Sequence, residues 1–299
     1  MDRVEFNDVC SFFGFQEGEY KHRLAVEGEK LWNTLFERNR EFGGWFVEIT
    51  GLMGRGKTSL MLTMADKIFR EYPDELVFWR EGASSPIQAP KIGDNFKLLV
   101  ERGYRLGLYE LGETRPIKSD KYDITYFKGY LDLIKHSEPG ILNVVFFKDL
   151  QKWLGLLSTL RQNTRFQTIL IDEMEDITPA RCSKETGNYW TNEAFANRLK
   201  EIRKSRINLI YNTQAKTDVE WRLRSKIMMH IYLPGSRTDD ESPVYKKMIQ
   251  GLNIGEAVID LGFSLFGKLS FGAYKPMDKL YSLIPTDSRG RINYGTKLG

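Results

Sequence analysis

Two short stretches hold residue types able to move a phosphoryl group. Residues 51–58 read Gly-Leu-Met-Gly-Arg-Gly-Lys-Thr, which fits Gly-x-x-x-x-Gly-Lys-Ser/Thr, the phosphate-binding P-loop. Glycines let the backbone curl until successive N–H groups converge on phosphate oxygens. Lys57 would neutralise the β/γ-phosphates and the Thr58 hydroxyl would ligate Mg²⁺. The candidate nucleotide-binding residues are therefore Gly51, Met53, Gly54, Arg55, Gly56, Lys57, Thr58 and Ser59. The second stretch, residues 166–171, is an apolar run that ends in Asp172-Glu173, the Walker B pattern. Asp172 would join Thr58 in the Mg²⁺ shell, and Glu173 would polarise the attacking water. A kinase has no use for a water-activating glutamate, whereas a hydrolase needs one. Glu175 and Asp176 read as solvated charges.

Further candidates follow in the chain. Residues 207–214 form an apolar run closing on Asn212, Thr213 and Gln214. At a strand end beside the γ-phosphate, Asn212 or Gln214 could bond the phosphate or the catalytic water, or serve as a buried structural amide. Residues 218–224 carry Arg222 and Arg224 on a strand or loop, and guanidinium groups suit transition-state phosphate charge, in cis or across a subunit interface.

These residues need a scaffold. Residues 45–50 predict the strand feeding the P-loop, and 58–70 a helix with Leu60, Met61, Met64, Ala65 and Ile68 at helical spacing. The helix N-terminus adds its positive dipole end to the phosphate site. Strands are predicted at 75–79, 122–127 and 141–147, the last dense enough to be buried on both faces, with more at 228–233, 256–261 and 268–274. Helices are predicted at 150–160 and 192–204, and a short one at 96–100. Residues 82–90 and 178–188 read as loops, and 103–111 as a strand pair or turn-rich insertion. His230, alone in an apolar run, reads as a core residue. Residues 1–42 predict an N-terminal helical extension (helix over 20–40) closed by Gly43-Gly44; residues 43–286 form the catalytic domain, and 287–299 a basic flexible tail.

Composition narrows the class. The 299 residues are 41% hydrophobic and 28% charged, with net charge +4, an ordinary soluble balance. Cys10 and Cys182 form neither metal spacing nor a disulfide framework. No apolar run reaches the ~18 residues of a membrane span, so an integral membrane protein is not expected, nor is a secretory leader. Between residues 198 and 237, ten Lys/Arg face three Asp/Glu, a bias suited to DNA or a neighbouring subunit.

The order P-loop, Asp172-Glu173, Asn212-Thr213-Gln214 and Trp221-Arg222-Leu223-Arg224 resembles the HerA/FtsK superfamily of DNA-translocating ATPases. Within it the chain is similar to viral genome-packaging ATPases and the Zot-like morphogenesis ATPases of filamentous phages. Residues 277–286 resemble a Tyr-containing C-terminal segment common among those relatives, and the resemblance covers roughly 43–286. It implies an α/β fold, RecA-like with an additional strand and a mostly parallel central sheet flanked by helices. It also implies ATP with Mg²⁺, Glu173 and Lys57 as catalytic groups, Gln214 as the polar sensor, and Arg222 or Arg224 in the arginine-rich stretch. The implied partners are sequence-independent double-stranded DNA, further copies in a ring (often a hexamer), and a capsid or virion membrane protein. The implied location is host cytoplasm or virion. The implied activity is ATP-driven DNA packaging; a Zot-like assembly or extrusion ATPase and a slow nucleotide-dependent switch are the alternatives.

Overall fold

Every residue of Phe46–Thr50, Leu76–Arg80, Gln167–Ile171 and Ile207–Thr213 is buried. Such runs, apolar without alternation, belong to strands covered on both faces. In the computed structural model they form the centre of an 11-stranded sheet. The structure describes residues 24–25, 33, 43–81, 88–103, 106–110, 124–160, 165–180, 188–237, 243–260, 265–272 and 281–285.

In chain order the elements are β1 (Leu24–Ala25), β2 (Phe46–Thr50), α1 (Lys57–Glu71), β3 (Leu76–Arg80), β4 (Phe96–Glu101), β5 (Leu106–Glu110), β6 (Ile124–Phe127), α2 (Tyr130–His136), β7 (Leu142–Phe146), α3 (Lys152–Leu160), β8 (Gln167–Ile171), α4 (Asn188–Ile202), β9 (Ile207–Thr213), α5 (Trp221–Arg224), β10 (Met229–Tyr232), α6 (Pro243–Gln250), β11 (Glu256–Asp260), β12 (Leu265–Ser270) and β13 (Tyr281–Pro285). The sheet order is β1-β12-β11-β10-β2-β9-β8-β3-β7-β4-β6. From β10 through β6 all neighbours run parallel, while β11 is antiparallel to β10 and to β12. β5 and β13 form a separate antiparallel pair.

One apolar layer lies between the sheet and α1, where Leu60, Met61, Met64, Ala65 and Ile68 meet Val47, Ile49, Trp79 and Leu170. The opposite layer holds Trp153, Leu156 and Leu157 of α3 and Phe195 and Leu199 of α4 against Phe46, Phe78, Ile169, Ile171 and Tyr211. Truncating a buried leucine such as Leu60 in such a layer costs about 2–5 kcal/mol. His230 bonds the buried Glu48 at 3.3 Å, and Tyr211 donates to the same carboxylate at 2.7 Å. That contact with the half-buried ring holds the Glu48 carboxyl below its usual range against the effect of burial.

The sheet corrects several expectations. Residues 96–101 form strand β4, not a helix: Leu98, Leu99 and Val100 are buried in succession between β6 and β7, which three consecutive helical positions seldom achieve on a half-covered helix. Leu24–Ala25 pair in parallel with Leu265 and Phe266, so the predicted helix over 20–40 does not hold at those two residues. Asn33 is helical and the rest of 1–42 lies outside the described residues, as do 287–299. β12 begins at Leu265, earlier than predicted, and α2 was not foreseen. Residues 221–224 form a short helix rather than a strand. Among the described residues no helix is long and apolar enough to cross a membrane.

Candidate active site

The P-loop leaves β2 at Thr50 and enters α1 at Lys57. Gly54 and Gly56 have φ of 73° and 94°, left-handed values that a Cβ disfavours. Gly56 caps α1, placing the helix N-terminus at the loop mouth. Lys57 Nζ donates to the carbonyls of Gly51 at 2.8 Å and Leu52 at 3.3 Å. Burial holds this ammonium below the usual lysine range, while Asp172, Glu175 and Glu173 pull the other way.

β9 lies between β2 and β8. With that strand inserted, the carboxylate after β8 still reaches the P-loop: the Thr58 hydroxyl donates to Asp172 Oδ1 and Oδ2 at 3.3 and 3.4 Å. Two hard oxygen donors at the mouth of the loop suit Mg²⁺. Among the described residues no group of three or more His, Cys, Asp or Glu could hold a metal. Burial pushes the Asp172 carboxyl above its usual value, opposed by Asn212, Arg80, Lys57 and Thr58.

Glu173 takes φ 59° and ψ 68°, one of two non-glycine residues with positive φ among those described. Such a conformation costs on the order of 1–3 kcal/mol and persists where surrounding contacts over-determine it. Here they do. Its N–H donates to Asn212 Oδ1 at 3.0 Å, and its carbonyl accepts from Arg80 Nη1 at 3.0 Å. Arg80 also donates to the Asp172 carbonyl and, at 2.7 Å, to Asp176 Oδ2. Asn212 Nδ2 turns to the Asp172 carboxylate. The Glu173 carboxyl is raised by burial, then by Asp172 and Asp176, with Arg80 opposing. A carboxylate so raised is a better proton acceptor near neutral pH.

Glu175 is not the solvated charge the sequence predicts: it accepts the Gln214 backbone N–H at 3.3 Å, and burial raises its carboxyl. Asp176 is exposed as predicted and also pairs with buried Arg80. Gln214 is exposed just past β9, so Asn212, not Gln214, makes the buried contacts to the carboxylates. Arg222 Nε donates to Glu220 at 2.7 Å, lies 3.5 Å from Glu193, and stacks over Tyr189 at 4.5 Å. Those partners hold it protonated within its own chain. Arg224 has its Nε buried without a hydrogen-bond partner among the described residues.

Two site residues carry no motif. Arg80 and Glu81 follow β3, the neighbour of β8. Glu81 Oε1 accepts the N–H groups of Gln88 at 2.7 Å and Ala89 at 3.1 Å. Burial, then Asp172, pushes its carboxyl up to about 7. The available signal was a charged pair at the end of an apolar run, where parallel strands present their carboxyl edge to ligands.

No protein-family profile matches the sequence, and no curated protein matches it significantly. Solved structures do match. The genome-packaging NTPase B204 of Sulfolobus turreted icosahedral virus 2, in complex with sulfate, aligns at TM-score 0.51 and 12% identity, covering 78% of this chain and 99% of that one. B204, the DNA-packaging ATPase of Sulfolobus turreted icosahedral virus, aligns at TM-score 0.50 and 13% identity, covering 79% and 99%. The N-terminal domain of zonular occludens toxin from Neisseria meningitidis, at 15% identity over 83% and 96%, reaches TM-score 0.34.

Proposed function

We propose that the chain is a Mg²⁺-dependent ATPase coupling hydrolysis to the movement of double-stranded DNA into a viral capsid. Its fold is that of RecA-like P-loop NTPases, with the expected additional strand in a mostly parallel sheet. One observation carries the reading: Asp172 meets Thr58 across the inserted β9, with Glu173 fixed beside it. The P-loop amides and Lys57 bind phosphates, Thr58 and Asp172 hold the metal, and Glu173 accepts the proton of the attacking water. Mg²⁺ would supply charge neutralisation on the β/γ-phosphates.

DNA as the cargo rests on the fold shared with packaging NTPases and on the basic segment 198–237. The grip is through phosphates, hence sequence-independent and salt-sensitive. A ring of subunits, with Arg222 or Arg224 reaching a neighbour's nucleotide and Gln214 sensing the γ-phosphate, completes the proposal. Arg222 would first have to leave Glu220. The test is ATP turnover with and without double-stranded DNA, beside the mass of the assembly with a non-hydrolysable ATP analogue. DNA-stimulated turnover in a multimer is expected. DNA-independent turnover would favour an assembly or extrusion ATPase, and binding without turnover a nucleotide switch.

A further inference from the structure

Glu81 has no task in the mechanism above, yet its placement is costly. β3 and β8 are in register with Arg80 beside Ile171, and the Asp172 N–H bonds the Arg80 carbonyl at 3.2 Å. Strand alternation then puts Glu81 on the face of Trp79 and Asp172 on the face of Leu170, and both of those apolar residues lie in the layer under α1. The two carboxylates are therefore lateral neighbours on the side from which the P-loop approaches. Glu81 is 8% exposed. Its Oε1 is fixed by the two N–H groups at the start of the turn Ala89–Ile92. Its Oε2 is buried and without a hydrogen-bond partner among the described residues. The Trp79 indole N–H, near on the same face, makes no bond of acceptable geometry to it.

A buried carboxylate oxygen left unpaired beside a second carboxylate is expensive. Without a donor or a cation it is relieved by taking up a proton, and a donor or cation lets it stay ionised. Lys91 contributes charge from a distance, and Lys57 is bonded to its own loop. The metal held by Thr58 and Asp172 would keep several waters, since Mg²⁺ dehydrates reluctantly, and these are donors polarised by the ion.

Resting on the ATPase reading, we propose that Glu81 Oε2 accepts a hydrogen bond from a metal-bound water, making Glu81 the outer carboxylate that sets divalent-cation affinity. Outer partners of this kind are worth roughly 10- to 100-fold in metal affinity. Glu81→Gln keeps the size of the side chain and the acceptor for Gln88 and Ala89 but presents an amide where the water's acceptor stood.

The experiment is a Mn²⁺ titration by electron paramagnetic resonance on the full chain saturated with a non-hydrolysable ATP analogue, with analogue binding in EDTA as the control for an intact P-loop. In Glu81→Gln, Mn²⁺ affinity should fall roughly 10-fold or more while metal-free analogue binding stays within about twofold. Glu81→Asp, whose charge is withdrawn by one methylene, should lose an intermediate amount. Mn²⁺ affinity equal to wild type in either variant overturns the assignment. A wild-type chain that takes up no Mn²⁺ with nucleotide would instead bring down the ATPase reading, and this inference with it.

Discussion

The two halves of the site are built by different means. The phosphate loop is made from its own residues: Gly54 and Gly56 set its path, and Lys57 bonds carbonyls five and six positions back. The carboxylate edge is made by strangers. Glu173 is held by Arg80, 93 positions earlier, and Asn212, 39 later, and Asp172 meets Thr58 across 114 positions. A locally specified loop should tolerate damage elsewhere. An edge specified by distant contacts should lose geometry whenever one of them goes.

The largest separation of the halves comes from Lys57→Ala. Nucleotide binding and turnover should both vanish while the melting temperature stays near wild type, read by analogue binding and thermal denaturation. Near-normal hydrolysis would end the P-loop assignment. Glu173→Gln should keep Mg·ATP and lose on the order of 10²-fold or more in turnover; a parallel loss of binding would make Glu173 a metal or structural residue instead.

Arg80→Met attacks the edge through its support. It strips the Asp172 and Glu173 carbonyls of their donor and leaves exposed Asp176 unpaired, so about 1–3 kcal/mol of stability should go, and turnover should fall with little change in metal-free analogue binding. If binding fell equally, the two halves would not be separate.

The edge should also carry a proton linkage that the loop lacks. With Glu81 raised by burial from the usual 4.5 to about 7 in the folded chain, folding favours its protonated form. Its contribution is complete below about 4.5 and lost as pH rises through about 7. Without metal or nucleotide, wild type should therefore lose about 3 kcal/mol against Glu81→Gln between pH 4.5 and 8 in urea denaturation. A constant difference over that range would refute it. The smallest expected effect is that of Asn212→Ala, which orphans the Glu173 N–H at a cost of about 1–3 kcal/mol with a modest loss of turnover. No change in either would mean that Arg80 alone fixes Glu173.

The same division governs what the sequence discloses. The loop, its strand and its helix were legible because spacing and glycine chemistry are local, and Asp172-Glu173 was legible from the apolar run before it. Arg80 and Glu81 were not, because their importance lies in β3 being the neighbour of β8, a fact of sheet order. β4 was misread for a related reason: Phe-Lys-Leu-Leu-Val-Glu satisfies either period over six residues, and only burial between β6 and β7 decides. Arg222 was legible as an arginine just after β9, but its partners Glu220 and Glu193 were not.

The position of β2 sets a timetable. It lies between β9 and β10, which begin at residues 207 and 229, so the strand feeding the phosphate loop has no edge partner while the first two hundred residues are being synthesised. A chain stopped before β9 leaves both sides of β2 bare. Such late, long-range pairing is the slow kind, and an apolar strand with open edges in the meantime invites association with other chains. During synthesis, the strand that leads into the P-loop is therefore among the elements most in need of shelter until β9 and β10 emerge.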